Sequence, residues 1–309
     1  MNIPSQTVYL AVFVIGILAI LLVWFFGFFY AQTARPVALA WASLTLPKDL
    51  HDAQFLTKNM RNEQSTYGFS YLPDDAGFLL GIERVGDSIL RATLMPDGTY
   101  LLSRNGEVLI SRTEPLALPT LSPNGKIIAF TESADGTQLD PGTRQAGTRS
   151  FLELRNLRSV LYYPASGKTV TIGAGAAPLF LDDTHIIRFS PGGIIMTDLT
   201  TGNETVLLQQ SLASLNGPVL QSSDRTLVTM TDRVAGKTYV LRVSPSSAET
   251  VAEFDVAIVP AALTESALYE LRNTTSGVDL WRHALDGSSE KKVTSFPDTF
   301  RVSAIAVQK

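Results

Sequence analysis

From Val8 to Tyr30 the chain runs apolar for 23 residues, VYLAVFVIGILAILLVWFFGFFY, and its first 34 residues hold no charged side chain. From Tyr67 onward the pattern changes: short apolar runs alternate with clusters of Gly, Pro, Asn, Asp and Ser. A helix of 23 residues reaches roughly 34 Å, against a hydrocarbon core of about 30 Å. Backbone groups in that core need internal partners, so the first run predicts a membrane-spanning helix over Val8–Tyr30. Tyr9 at one end and Trp24, Tyr30 and Trp41 near the other suit the headgroup zone.

A cleaved signal peptide is the alternative. It carries a basic leader and an apolar core of about 7–15 residues. Here MNIPSQT has no Lys or Arg, the core is longer, and Ala38-Leu39-Ala40 lies beyond Arg35-Pro36. The expectation is an anchor over residues 1–31 and a stalk over 32–66, broken by Pro36 and Pro47. Within the stalk, 47–64 reads as one short helix. The lone Arg35 favours a cytoplasmic C-terminal side, but large domains translocate largely regardless of charge.

The later runs read as strands. They are 77–85, 88–95, 99–104, 126–133, 159–164, 184–189, 193–199, 226–231, 238–243, 266–271 and 278–285. They group into similar units: 177–208, 217–254 and 257–296. The first-turn residues Asp183, Asp224 and Glu265 are 41 residues apart in both steps. Asn124 takes the same place 59 residues before Asp183, so an earlier unit carries an insert, placed at about 134–150. A first unit is read at 67–104, marked by Asp75. Four strands in about 40 residues is the period of a propeller blade, which buries its faces only by stacking on neighbours.

Leu121-Ser122-Pro123-Asn124-Gly125-Lys126-Ile127-Ile128-Ala129-Phe130 resembles the WD40-like repeat of TolB-type β-propellers. The other units keep the strand order without the Pro and Gly of that turn. The resemblance spans 67–309 and implies an all-β, TolB-like propeller, of six blades in most such proteins. Five units are countable here. The strand RVSAIAV (301–307) is expected to close the ring by pairing with an N-terminal strand. TolB-like propellers are usually extracytoplasmic, so the resemblance implies a propeller facing outward.

Net charge is −4, which offers no general field for nucleic acid. The chain has no cysteine, which excludes disulfides, thiolate metal sites and a Cys nucleophile. The triplets Gly167-Lys168-Thr169 and Gly236-Lys237-Thr238 lack the earlier Gly of a P-loop, since Tyr162 and Thr231 stand there. Both read as hairpin turns. No two of His51, His185 and His283 have metal-ligand spacing. The acids Asp74, Asp75, Asp182, Asp183, Asp224 and Glu265 fall at blade turns. There they either bond their own backbone or converge on a cation, and the turn reading is favoured. Gly-x-Ser-x-Gly is absent.

The basic cluster is Arg144, Arg149, Arg155 and Arg158, in and after the insert. Loops on a rigid β scaffold are where recognition surfaces form, so these arginines are the candidate partner-binding residues. The expectation is a membrane-tethered, non-enzymatic propeller that binds protein partners, with a lipid bilayer as its other contact. No cofactor or metal is expected. The alternative is a lyase- or glycosidase-like enzyme using paired carboxylates in the central channel.

Overall fold

A computed structural model describes residues 54–58, 70–72, 78–136, 151–210, 212, 214–216, 219–232, 236–255, 260–275, 277–297, 301–306 and 309. The anchor expected at Val8–Tyr30 and residues 137–150 of the insert lie outside these. Among the described residues no helix is long and apolar enough to cross a membrane.

Two short strands come first, β1 (Gln54–Lys58) and β2 (Ser70–Leu72). Where 47–64 reads locally as a helix, 54–58 is a strand, because it finds a distant partner described below. The first blade is β3 (Phe78–Val85), β4 (Ser88–Leu94), β5 (Tyr100–Arg104) and β6 (Glu107–Arg112). Its first turn is Gly86-Asp87, so the boundaries 67–104 and the marker Asp75 are set too early by one strand.

The second blade pairs β7 (Leu116–Leu121), β8 (Ile128–Ser133), β10 (Leu157–Tyr163) and β11 (Lys168–Ala174). Between β8 and β10 come the insert, β9 (Phe151–Glu153) and a 3-10 turn at Leu154–Asn156. The third blade is β12 (Ala176–Phe180), β13 (His185–Ser190), β14 (Gly193–Asp198) and β15 (Glu204–Gln209). A short strand, β16 (Ser214–Asn216), then pairs with β9, tying the base of the insert to the link between the third and fourth blades.

The fourth blade holds β17 (Leu227–Asp232), β18 (Lys237–Ser244) and β19 (Ser247–Asp255), and among the described residues its inner position is held by the bridge Gln221↔Val228 and the Thr229 N–H bond to the Leu220 carbonyl. The fifth is β20 (Pro260–Leu263), β21 (Ala267–Thr274), β22 (Gly277–Ala284) and β23 (Glu290–Pro297). The last strand, β24 (Arg301–Ala306), pairs antiparallel with β1 and touches β20 and β3. The expected closure by the 301–307 strand is therefore seen: a small β2-β1-β24 sheet, drawn from widely separated parts of the chain, lies between the fifth and first blades.

Burial follows position in the blade. Every residue of β8 and β12 is buried, because neighbouring blades cover both faces. The outer strands β6 and β15 alternate weakly and leave Val108 52% and Val206 59% exposed. Large side chains such as Leu90, Leu102, Phe130 and Phe189 fill the space between sheets.

A register shift recurs between third and fourth strands in all five blades, at Leu102/Ser103, Ser159/Val160, Ile194/Ile195, Val240/Leu241 and Leu280/Trp281. An extra residue there bends a strand and increases its twist, which shapes each sheet to stack on the next. The first and second strands shift too, at Leu79/Gly81, Ala117/Thr120, Ala176/Leu179 and Pro260/Ala262. At two of these, Leu118 and Ala177 take φ of 51° and 49° directly before Pro119 and Pro178. Positive φ is uncommon outside glycine, and it recurs here at matching places on two inner strands.

Candidate functional site at the hub

Inner strands bring residues from four blades to one point. Glu83, on the inner strand β3, accepts from Thr120 Oγ1 at 2.9 Å and from the Leu121 backbone N–H. Lys309 Nζ donates to Glu83 Oε1 at 2.6 Å and to the Gln221 side-chain oxygen at 3.0 Å. Gln221 Nε2 in turn donates to the Phe180 and Arg225 carbonyls. The Arg225 guanidinium spans from the Phe180 carbonyl, at 3.2 Å, to the Leu121 carbonyl, at 3.1 Å. Groups from the first, second, third and fourth blades meet in this way only at the ring's hub.

All of these groups are buried. Burial pushes the Arg225 pKa below its ordinary value, against the attraction of Glu83 and Asp183. Burial likewise lowers the Lys309 pKa; Glu83 opposes that and Arg225 adds to it. Glu83 already bonds a hydroxyl, an amide and an ammonium, so it is arranged to hold the hub together.

The turns between first and second strands form one rim. There Asp182 accepts from the Thr184 N–H and hydroxyl and from the His185 N–H. His185 Nδ1 also lies 2.8 Å from Asp182 Oδ2, which fixes the ring. Partial burial raises the Asp182 pKa, but these bonds outweigh it and the net shift is downward. Asp224 bonds Ser222 and Thr226 in the same manner. Asp183 accepts from the Asn124 N–H of the second blade at 2.8 Å, and Glu265 from Ser223 Oγ of the fourth at 2.8 Å. The described rim acids thus cap their own turns or tie adjacent blades. Among the described residues no group of three or more His, Asp and Glu could hold a metal. Asp74, Asp75 and His51 lie outside them. Gly167 and Gly236 take φ of 67° and 68° in hairpin turns, as expected of the two Gly-Lys-Thr triplets.

The arginine cluster is divided. Arg144 and Arg149 lie outside the described residues, and Arg155 is placed only by its backbone, in the 3-10 turn. Arg158, its side chain 43% exposed, pairs with Glu132 at 2.6 Å. Glu132 also holds Arg112 Nη1 at 2.6 Å, and the Arg112 guanidinium lies 5.2 Å from the centre of the Phe130 ring. Arg158 therefore has a structural partner that its place in a basic run does not reveal.

In the fifth blade His283 Nε2 lies 2.9 Å from Glu270 Oε2, both side chains 5% exposed, and Arg272 joins Glu270 to Glu290 while stacking on Trp281. Burial raises the Glu270 pKa, but the hydrogen bonds from His283 and Arg272 outweigh it and the net shift is downward. A carboxylate held below its unfolded value stabilises above that value, about 4.3, and loses the contribution as pH falls through the folded one. The urea midpoint should fall on acidification below about pH 4, and Glu270→Gln should flatten part of that fall. An equally steep acid limb in the variant would contradict the assignment.

This chain is similar to several solved structures. TolB from Acinetobacter baumannii superposes with a TM-score of 0.53 at 16% identity, covering 76% of this chain and 58% of that one. This chain therefore spans well under two thirds of that protein's length. A chain of a nidogen–laminin complex gives 0.47 at 16% identity, covering 75% and 85%. A putative TolB from Agrobacterium tumefaciens gives 0.43 at 12% identity, covering 74% and 84%. At this identity the first likeness shows a TolB-like fold and no more. No protein-family model and no curated protein sequence matches the chain.

Proposed function

We propose that this chain is a membrane-tethered, non-enzymatic propeller that binds protein partners as a scaffold. The observation that carries this reading is the use of the rim and hub carboxylates. Asp182 and Asp224 cap turns, Asp183 and Glu265 link blades, and Glu83 is saturated by Thr120, Leu121 and Lys309. A hydrolytic or lyase site needs two carboxyls facing a cleft with room for substrate, roughly 5–10 Å apart. Acids spent on turns and blade contacts support binding over turnover.

Tethering rests on the apolar run Val8–Tyr30, and an outward-facing propeller on the likeness to TolB-type domains. The surface proposed for the partner is the side bearing the insert, with Arg144, Arg149, Arg155 and Arg158 as its charged residues; Arg158 also pairs with Glu132.

The test uses the full chain in its native membrane. Site-specific crosslinking should trap a protein partner, and Arg144→Ala with Arg149→Ala should weaken the crosslink in a salt-dependent way. Absence of any partner at saturating crosslinker, together with turnover of a glycoside by the purified chain, would replace this reading with the enzymatic one.

A further inference from the structure

Arg112 ends β6 of the first blade, while Glu132 and Arg158 stand on β8 and β10 of the second, one on each side of the insert in sequence. Glu132 takes Arg112 Nη1 on one oxygen and Arg158 Nε on the other, each at 2.6 Å. The opposite edge of the Arg112 guanidinium, Nε and Nη2, is buried and meets no acceptor. Among the described residues, Trp281 Nε1 is the other buried side-chain atom in that condition. Folded proteins leave few such groups, because a buried donor without an acceptor loses its water and gains nothing in return. An unfilled edge on a guanidinium is therefore a site that wants an occupant.

The edge has a definite shape. Nε–H and the neighbouring Nη2–H run parallel, spaced for the two oxygens of a carboxylate. Nη1 is held by Glu132 and the guanidinium carbon lies 5.2 Å from the centre of the Phe130 ring, so the plane is fixed without any ligand. Charge points the same way. Two guanidiniums share the one Glu132 carboxylate, which leaves this contact group one positive charge in excess. A monoanion neutralises that excess, whereas Glu132 repels a dianion more strongly. The Arg112 side chain is 20% exposed and that of Arg158 is 43% exposed, so the group lies at the surface and outside the core.

We infer that the Nε/Nη2 edge of Arg112 is a binding site for a carboxylate group, at the base of the insert and reached from the surface that Arg112 shares with Arg158. Two sources have that chemistry, an Asp or Glu side chain of a protein partner and a free carboxylate. The partner source rests on the protein-binding reading above and adds to its surface an arginine that lies outside the basic run; the site itself does not depend on that reading.

The experiment titrates the complete chain at pH 7 and fixed ionic strength, with Tm as the readout. The probes are sodium acetate against sodium chloride, a pentapeptide with a central glutamate and both ends blocked, and its glutamine counterpart. Acetate should raise Tm in a saturable way that chloride does not reproduce. Arg112→Lys keeps a positive charge for Glu132 but has no fork, and should remove the response. Arg242→Lys, at an exposed arginine paired with Glu249, should leave it unchanged. If Arg112→Lys does not fold, Arg112→Gln with Glu132→Gln takes its place, since it removes both charges of the pair together. Saturation by the glutamate peptide at a concentration about tenfold or more below that of acetate assigns a partner's acidic side chain, since one added net hydrogen bond is worth that much. A smaller advantage, or none, assigns a free carboxylate and leaves the protein-binding reading without this support. No saturable response beyond chloride, an equal response to the glutamine peptide, or a response that survives loss of the fork overturns the site, and the edge then holds water only.

Discussion

Glu83→Gln is expected to cost about 3–5 kcal/mol of folding stability, the usual penalty for leaving one member of a buried ion pair without its partner. Lys309 Nζ sits 2.6 Å from Glu83 in a site where the two side chains are 8% and 5% exposed. The amide also places an NH₂ group where the Thr120 hydroxyl, the Leu121 N–H and the Lys309 ammonium all need acceptors. For a domain of this size the loss corresponds to a fall in Tm on the order of 10 °C. Adding Lys309→Met should recover part of it, because replacing both charges of a buried pair with neutral groups of similar volume is often nearly neutral. Thermal and urea unfolding of the parent, the single variant and the double variant measure this directly. A Glu83→Gln variant within about 1 kcal/mol of the parent would mean that the hub is wet and the pair contributes little.

Gly193→Ala should be comparably damaging for a different reason. Gly193 opens β14 with φ of 131°, opposite Gln209 in the ladder to β15. A methyl group there would lie 1.9 Å from the Leu208 carbonyl oxygen and 2.9 Å from the Gln210 nitrogen. Both contacts are with backbone, so relief requires moving β15. Overpacking and dihedral strain together should cost about 3–5 kcal/mol. Gly202 is the control: its φ is 76°, but a Cβ there meets nothing within 4 Å. Gly202→Ala should cost only the left-handed backbone penalty, about 1–2 kcal/mol. Equal urea midpoints for the two variants would contradict the close approach at Gly193.

The hub was nearly invisible in the pattern of residues. Glu83 lies inside the apolar run 77–85, and a carboxylate within such a run is the one available signal that it has a buried partner. Arg225 follows the turn residue Asp224 and reads there as an ordinary solvated charge, yet it is 7% exposed. Lys309 carries no signal at all. Its contact with Glu83 joins positions 226 residues apart. The arginine cluster shows the same limit of local reading. Four nearby positive charges suggest a shared outer surface; the run does not show that Arg158, which stays 43% exposed, also pairs with Glu132 across the β8–β10 pairing, a contact between strands that the insert separates in sequence.

What the sequence by itself determined is the repeat and the interior strands of each blade. The apolar runs correspond to β3, β4, β5, β8, β10, β13, β14, β17, β18, β21 and β22. Apart from β3, these are the second and third strands of the blades, where burial demands apolar side chains and tight turns demand Asp, Asn, Gly or Ser. The markers Asn124, Asp183, Asp224 and Glu265 do fall in equivalent turns. The tertiary structure decided the rest. Outer strands such as β15 and β19 are half solvated and carry little pattern, while β1 becomes a strand only because β24 arrives beside it. The recurrent register shifts lie between strands and leave no common motif in the residues. The hub depends on ring closure, since an ion pair between residues 83 and 309 exists only after the intervening blades have stacked. Local periodicity reports on neighbours in the chain; closure and the hub are made by groups that only the completed ring brings within hydrogen-bonding distance.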